Sequence, residues 1–300
     1  MTTSHFGTIR RSFSGELLEQ EPLARHTSLR VGGPAELFAV PDNRADLLQL
    51  LKTVEEQRVP WFVIGGGYNL LIRDGGFRGV VISLSKLNHM EVTRSGEIRV
   101  ESGVRNIDLS RLAEAHGLTG LEFLVGIPGS VGGAVRMNAG AHGVEICDHV
   151  SSLDILVDGG IRKYAKDSLD YGYRRLQLDY KEIIIGAVFQ LASGTPEQVS
   201  AAMDACLQQR QETQKVRFPN AGSFFKNPAG QAAWRLIDDA GLRGLIVGGA
   251  QVSEVHSNFL INRGGATASN FLQLAAIIKE RVFKDCAVQL EEEVQIMGED

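Results

Sequence analysis

The chain has little cysteine, no basic excess and no long apolar run, and each absence removes a class of function. Its three cysteines, Cys147, Cys206 and Cys286, are odd in number and far apart, with no Cys-x-x-Cys pair. That pattern offers neither a disulfide framework nor a zinc site and points to a reducing compartment. His26, His116, His142 and His256 lack metal-ligand spacing, so no metal is expected. A net charge of −5 and a pI near 5.9 argue against a nucleic-acid binder, although local cations can still hold a small anionic ligand. No segment approaches the roughly 18 apolar residues of a membrane span. Met1 to Gly15 is polar and carries no signal-peptide core, so a cytoplasmic protein without membrane insertion is expected. The dinucleotide fingerprint is missing too: no G-x-G-x-x-G opens a helix with an acidic residue about 20 positions later.

What the chain does have is glycine, 34 residues in clusters bounded by Ile, Val and Leu runs. Such clusters mark turns and places where backbone comes close to something flat or charged. Between them, apolar spacing predicts a strand at Glu36–Pro41 and a helix at Asp42–Gln57. Further strands are expected at Trp61–Ile64, Gly79–Leu84 and Glu97–Glu101, and a helix at Ile107–His116 closed by Gly117. Val150–Val157 and Ile161–Ala165 read as a hairpin across Asp158-Gly-Gly160, and Glu182–Leu191 as a strand. Thr195-Pro-Glu-Gln198 has the form of a capping box, which places a domain boundary near Ser193. Beyond it come helices at Gln231–Ala240 and Ser269–Lys284, a strand at Asn258–Asn262 and a closing strand at Val288–Met297. The alternation of strand and helix gives an α+β fold.

Four stretches could carry chemistry. Gly65-Gly66-Gly67-Tyr68-Asn69 follows a strand, where unhindered amides can face a phosphate or simply make a tight turn. Gly126-Ile127-Pro128-Gly129-Ser130, continuing to Gly133, is a second such loop, and two in one half of a chain favour a pyrophosphate clamp. Tyr171-Gly-Tyr173-Arg174-Arg175 joins aromatic rings to guanidinium groups that can hold a carboxylate in a fork. Asn220-Ala-Gly-Ser223-Phe-Phe-Lys226-Asn227-Pro228 sets a hydroxyl, an ammonium and a carboxamide in one loop. A serine is a poor acid unless its partner is very basic. In the closing strand, alternation puts Glu291, Glu293 and Gln295 opposite Val288, Leu290, Val294 and Ile296, which reads as a solvated edge or a site face.

Taken in order, these motifs resemble the UDP-N-acetylenolpyruvoylglucosamine reductase family, often called MurB. The resemblance runs from about Thr27 to Gly298 and rests on Thr27-Ser-Leu-Arg-Val-Gly-Gly-Pro-Ala35, the glycine loop with Asn69-Leu-Leu-Ile-Arg-Asp-Gly-Gly76, and Leu121-Glu-Phe-Leu-Val-Gly-Ile-Pro-Gly129. It continues through Asn138-Ala139-Gly140, Tyr173-Arg174, Gly222-Ser-Phe-Phe-Lys-Asn-Pro228 and Glu293-Val294. It implies an FAD-binding domain of the vanillyl-alcohol-oxidase (PCMH) type over 1–193, in two α+β parts split near 85, and a smaller substrate-binding domain over 194–300. The short segment after Ser223 is similar to the family's type that lacks an inserted tyrosine loop.

The implied reaction is reduction of FAD by NADPH, followed by reduction of the enolpyruvyl ether of a UDP-sugar to UDP-N-acetylmuramate. Ser223 would protonate the strongly basic carbon intermediate, with Arg174 and Glu293 beside it. Both glycine loops and Asn138-Ala139-Gly140 would bind cofactor; Lys226, Asn227, Tyr173 and Arg210 would bind substrate. Four positions depart from the family pattern: Tyr68 for a usual serine, His142 for tyrosine, Leu176 for serine and Gln295 for arginine. Another flavin oxidase of the same cofactor fold, or a flavin-binding protein without turnover, is the competing expectation. The oligomeric state is left open.

Overall fold

A computed structural model describes residues 3–300, so the first two residues of the expected 1–193 domain lie outside it. Contacts group the chain into two compact units. The first comprises 1–19, 37–66 and 79–209; the second comprises 20–36, 67–78 and 210–300.

In the first unit, helix Arg44–Glu56 starts at Asn43, whose side chain accepts the Asp46 N–H at 3.0 Å, and its Leu47, Leu50, Leu51 and Val54 are buried. They pack against strands of a sheet ordered Glu16–Pro22, Pro34–Val40, Phe77–Ser83, Trp61–Ile64, the last two parallel with Val63 opposite Ile82. Helix Thr3–Ser12, which the polar N-terminus gave no sign of, adds Ile9 to this core, and Phe13 just beyond its end joins it.

The second sheet of this unit is antiparallel throughout: Gly160–Ala165, Val150–Val157, Ile183–Phe189, Ile98–Glu101, Met90–Val92. Every residue of Ile183–Phe189 is buried, as befits a central strand covered on both faces. The expected hairpin forms with Val157 opposite Gly160, and Asp158 (φ 51) and Gly159 (φ 71) make the turn. Helix Pro196–Thr213 opens on the expected capping box, with Gln198 N–H donated to Thr195 Oγ1 at 3.3 Å and Thr195 N–H to Gln198 Oε1 at 3.1 Å.

The second unit is built on an antiparallel sheet ordered Asn220–Ser223, Phe259–Asn262, Ala250–Val252, Ile246–Val247. Helix Ala268–Cys286 buries Phe271, Leu274, Ala275, Ile278 and Val282 in its core. The closing segment differs from expectation. Only Gln295–Met297 is a strand, parallel to Leu70–Ile72, while 288–294 forms no strand and pairs only by an isolated bridge, Glu292 to Phe225. The apolar alternation is nevertheless real, since Leu290 and Val294 are buried and Val288 and Ile296 pack on the same core. Side-chain period reports which face is buried, whereas a strand also needs a hydrogen-bonded neighbour. Among the described residues no helix is long and apolar enough to cross a membrane, and no cluster of His, Cys, Asp or Glu could hold a metal.

Candidate active site

Within the first unit, the two glycine loops come together. A Cβ built on Gly65 would lie 2.7 Å from Ser130 Oγ, and Gly133 is the next nearest group. The second loop is anchored from behind: Val131 and Gly132 donate their N–H groups to the carbonyls of Val104 (2.8 Å) and Ser102 (2.9 Å). Gly129 takes φ +121, and the Ile127 carbonyl accepts from the Asn106 carboxamide at 3.1 Å. Two glycine backbones and a serine hydroxyl facing each other, with no side chain between them, is the donor chemistry a pyrophosphate needs. The residues present therefore fit a dinucleotide cofactor held by backbone. The same loop continues as Gly66, which is exposed, and Gly67 (φ +68), which begins the stretch 67–78 of the second unit with exposed Tyr68 and half-buried Asn69.

Asn138 is fully buried, and its side chain serves the protein. Its carboxamide N–H groups go to Glu145 Oε2 (2.6 Å) and the Gly172 carbonyl (2.9 Å), and its oxygen accepts the Cys147 N–H (3.1 Å). Ala139 donates to the Ala134 carbonyl at 2.8 Å, and Gly140 pairs with Glu145. This latch supports the hairpin Tyr171–Gly172 and Arg175–Leu176, whose two-residue loop is Tyr173-Arg174. Arg174 is held at φ 54, a left-handed backbone that costs a non-glycine residue on the order of 1–2 kcal/mol. Its Nη2 donates to the Gly140 carbonyl at 3.0 Å, and its guanidinium lies 5.2 Å from the Tyr173 ring centroid. Arg175 points elsewhere: it is exposed and paired with Asp170 at 2.8 Å. Of the two arginines, Arg174 is the half-buried one that the fold orients.

Within the second unit, Ser223 follows a bulge. Gly222 sits at φ +74, the register with Phe259–Asn262 shifts between Asn220 and Ser223, and the Asn220 carboxamide holds the turn by accepting the Gly222 N–H at 3.0 Å. Bulges of this kind re-aim the next side chain. The following residues are anchors: Phe224 and Phe225 are buried edge to face with centroids 5.2 Å apart. Phe224 N–H goes to the Asn258 carbonyl (2.7 Å), and the Asn258 side chain bonds both the N–H (3.0 Å) and the carbonyl (2.8 Å) of Phe225. The Phe224 carbonyl in turn accepts the Glu293 N–H at 2.8 Å, which brings the segment bearing Glu293 onto the residue next to Ser223. On its other side the Glu293 carbonyl accepts the Asn69 carboxamide at 3.0 Å.

Lys226 is ion-paired with Glu291, and the Asn227 oxygen accepts the Ala233 N–H at 3.0 Å, capping helix Ala233–Asp239. Arg210 lies near the end of helix Pro196–Thr213, where loss of hydration lowers its pKa. Of the four departures, Leu176 is core, His142 (φ 57) and Tyr68 are exposed, and exposed Gln295 donates its N–H to the Asn69 carbonyl at 3.0 Å whatever its side chain.

Residues 213–297 match the model of the UDP-N-acetylenolpyruvoylglucosamine reductase C-terminal domain, and 35–163 match an FAD binding domain. Reductases of that name from Geotalea uraniireducens and Geobacter sulfurreducens are 54% and 56% identical over 286 residues, 95% of this chain and of each relative. The chain belongs to the UDP-N-acetylenolpyruvoylglucosamine reductase family. The crystal structure of the Thermus caldophilus reductase (MurB) is similar over 94% of this chain and 98% of its own, with a TM-score of 0.81 and 33% identity. Membership makes the chain an FAD-dependent oxidoreductase with an FAD-binding part of the PCMH type. The FAD-binding match ends at 163 and the reductase C-terminal match begins at 213, so the Tyr173-Arg174 loop falls between them. Sequence reasoning missed Asn258 and the double use of Asn69, since a buried carboxamide has no motif of its own; Asn258 stands only as the opening residue of an expected strand.

Proposed function

We propose that this chain reduces the enolpyruvyl ether of UDP-N-acetylglucosamine-enolpyruvate to the lactyl ether of UDP-N-acetylmuramate, in the cytoplasm, with NADPH as electron source. FAD, held by the Gly65 and Ser130 loops and reduced by NADPH, would supply hydride chemistry at the enolpyruvyl methylene carbon. The neighbouring carbon then carries a negative charge delocalised into the substrate carboxylate. Ser223 delivers the proton to that carbon from Oγ. A hydroxyl suffices because the carbon is far more basic than an amine or alkoxide leaving group. Arg174 supplies the cation that stabilises charge growing on that carboxylate toward the transition state. Glu293 serves the proton path through Ser223 or a water, since a bare carboxylate against a developing anion would raise the barrier. Lys226, Asn227, Tyr173 and Arg210 hold the UDP-sugar, the Gly65 and Ser130 loops hold the cofactor pyrophosphate, and Asn138 keeps the Arg174 hairpin in place.

The observation that carries this reading is the Phe224 peptide, whose carbonyl binds the Glu293 N–H at 2.8 Å; it supports a part for a carboxylate-bearing residue alongside the bulge-aimed serine. Family membership supplies the substrate class. The test is a two-step anaerobic flavin assay. NADPH should bleach the flavin band and the enolpyruvyl UDP-sugar should restore it; reoxidation no faster with that sugar than without it overturns the assignment.

A further inference from the structure

We propose a second role for Asn69: it is the positioning residue for Glu293, fixing that segment from the end of the cofactor loop. The inference rests on Glu293 acting in the reaction.

Strand Leu70–Ile72 runs parallel to Gln295–Met297, with Leu70 opposite Gln295, Leu71 opposite Ile296 and Ile72 opposite Met297. The ladder starts at Asn69, whose carbonyl accepts the Gln295 N–H at 3.0 Å. In a parallel ladder one strand bonds through alternate residues, so a continued ladder would next engage the Glu293 carbonyl with the main-chain N–H at 69. Here the Asn69 carboxamide makes that bond, Nδ2 donating to the Glu293 carbonyl at 3.0 Å. One residue thus grips the chain at Gln295 with its main chain and at Glu293 with its side chain. On the opposite side the Glu293 N–H is bound to the Phe224 carbonyl at 2.8 Å. The peptide groups on both sides of the Glu293 Cα are therefore occupied, one toward the residue after Ser223 and one toward the loop Gly65–Asn69. An aspartate would offer no donor at this place, and an alanine would leave the carbonyl to water.

The loop that carries Asn69 is itself tightly placed. Gly67 has no room for a side chain, since a Cβ there would lie 1.9 Å from the His26 carbonyl oxygen, and its own carbonyl accepts the Ser28 N–H at 3.0 Å. A fixed loop gives the carboxamide a fixed origin, so removing it releases Glu293 without releasing the loop.

The experiment is a double-mutant cycle on the FAD-loaded enzyme, reading the rate of substrate-dependent reoxidation per bound flavin in wild type, Asn69→Ala, Glu293→Gln and the double variant. Asn69→Ala should slow reoxidation on the order of tenfold to a hundredfold, the cost of a displaced catalytic group. In the Glu293→Gln background the same substitution should add far less, because the group it places is already disabled. Equal slowing in both backgrounds, with Glu293→Gln itself impaired, overturns the positioning role and leaves the reaction assignment standing. No effect of Glu293→Gln alone overturns the positioning role together with the part given to Glu293, and leaves the reduction itself to the flavin assay. Hydrogen exchange gives a readout free of turnover: Asn69→Ala should raise exchange at the amides of Glu293 and Gln295 while helix Ala268–Cys286 keeps its protection. Unchanged exchange at those two amides also overturns the proposal.

Discussion

In the first unit the glycine loops offer backbone to a cofactor, and in the second the serine loop offers side chains held by backbone. Glycine serves both, for opposite reasons. Gly65 has no unusual φ, but a Cβ there would press on Ser130 Oγ at 2.7 Å, so what matters is space. Gly222 has nothing within 4 Å of where its Cβ would be, but sits at φ +74, so what matters is conformation. A loop that must admit a phosphate leaves room beside itself; a bulge that must turn a serine needs a dihedral that L side chains rarely adopt. Substitutions at the two places should therefore fail differently.

The largest effect belongs to the reacting group of the second unit. Ser223→Ala should slow substrate-dependent reoxidation by about 10²–10⁴-fold, the usual share of a general acid, while reduction by NADPH proceeds. Stopped-flow of the two half-reactions separates them, and an unchanged second half-reaction would remove the serine from the chemistry. Next comes the frame behind it. Asn258 is almost fully buried and holds both main-chain groups of Phe225. Asn258→Ala orphans a buried N–H and a buried carbonyl, and should destabilise the protein by about 2–4 kcal/mol, read as a lowered Tm and denaturant midpoint. A Tm equal to that of wild type would mean that water replaces the carboxamide.

These two residues mark how much was legible in the chain. The glycine loops, the serine and the Tyr-Arg pair announce themselves because their chemistry needs rare residue types at short spacing. Most elements did so too, from the capping box at Thr195 to the hairpin turn at Asp158, because caps and turns are local. Asn258, Asn138 and Asn69 are harder to read, since each spends its carboxamide on partners that only folding brings near; Asn69 and Glu293 are 224 positions apart. The closing segment shows the same limit. Its alternation reported burial correctly, but whether 288–294 has a strand to pair with is decided by distant residues. A unit assembled from 20–36, 67–78 and 210–300 is likewise invisible to any reading along the chain.

The glycine pair sharpens the comparison at smaller energies. Gly222→Ala should cost on the order of 1–2 kcal/mol of stability and slow the serine-dependent step, because a Cβ is strained in the left-handed region. Gly222→Asn should recover part of both, since asparagine tolerates that region. Equal loss in the two variants would mean that space, not φ, is limiting. Gly65→Ala should weaken retention of flavin with little change in Tm, because the added methyl displaces the Ser130 hydroxyl from the loop. Flavin titration of the apoprotein reads the loss, and retention equal to that of wild type would mean that the hydroxyl moves aside at no cost to binding.

The smallest effect is the pH dependence that the second unit contributes. His256 lies 4.6 Å from the Phe259 ring and 6.5 Å from Trp234, and burial pushes its pKa below that of a free imidazole. Well above about 6.5 both folded and unfolded chains hold it uncharged, so it contributes no pH dependence there. As pH falls through about 6.5 the unfolded chain takes up a proton that the folded chain resists, and stability declines until the folded imidazole is protonated as well. Asp74 adds a separate loss at lower pH. Burial pushes its carboxyl up, but this is outweighed by hydrogen bonds from the Ser269 hydroxyl and the Ser269 and Ala268 amides at the start of helix Ala268–Cys286, so its pKa is lowered overall. The stability it lends is present above about 3.9 and disappears as pH drops through the folded value. Because Phe259 is paired with Ser223, the His256 step loosens the strand that supports the serine. His256→Gln should therefore flatten the decline in Tm that begins as pH falls through about 6.5, while leaving the acid step of Asp74 in place. A Tm profile as steep in the variant as in wild type would assign that decline to another group.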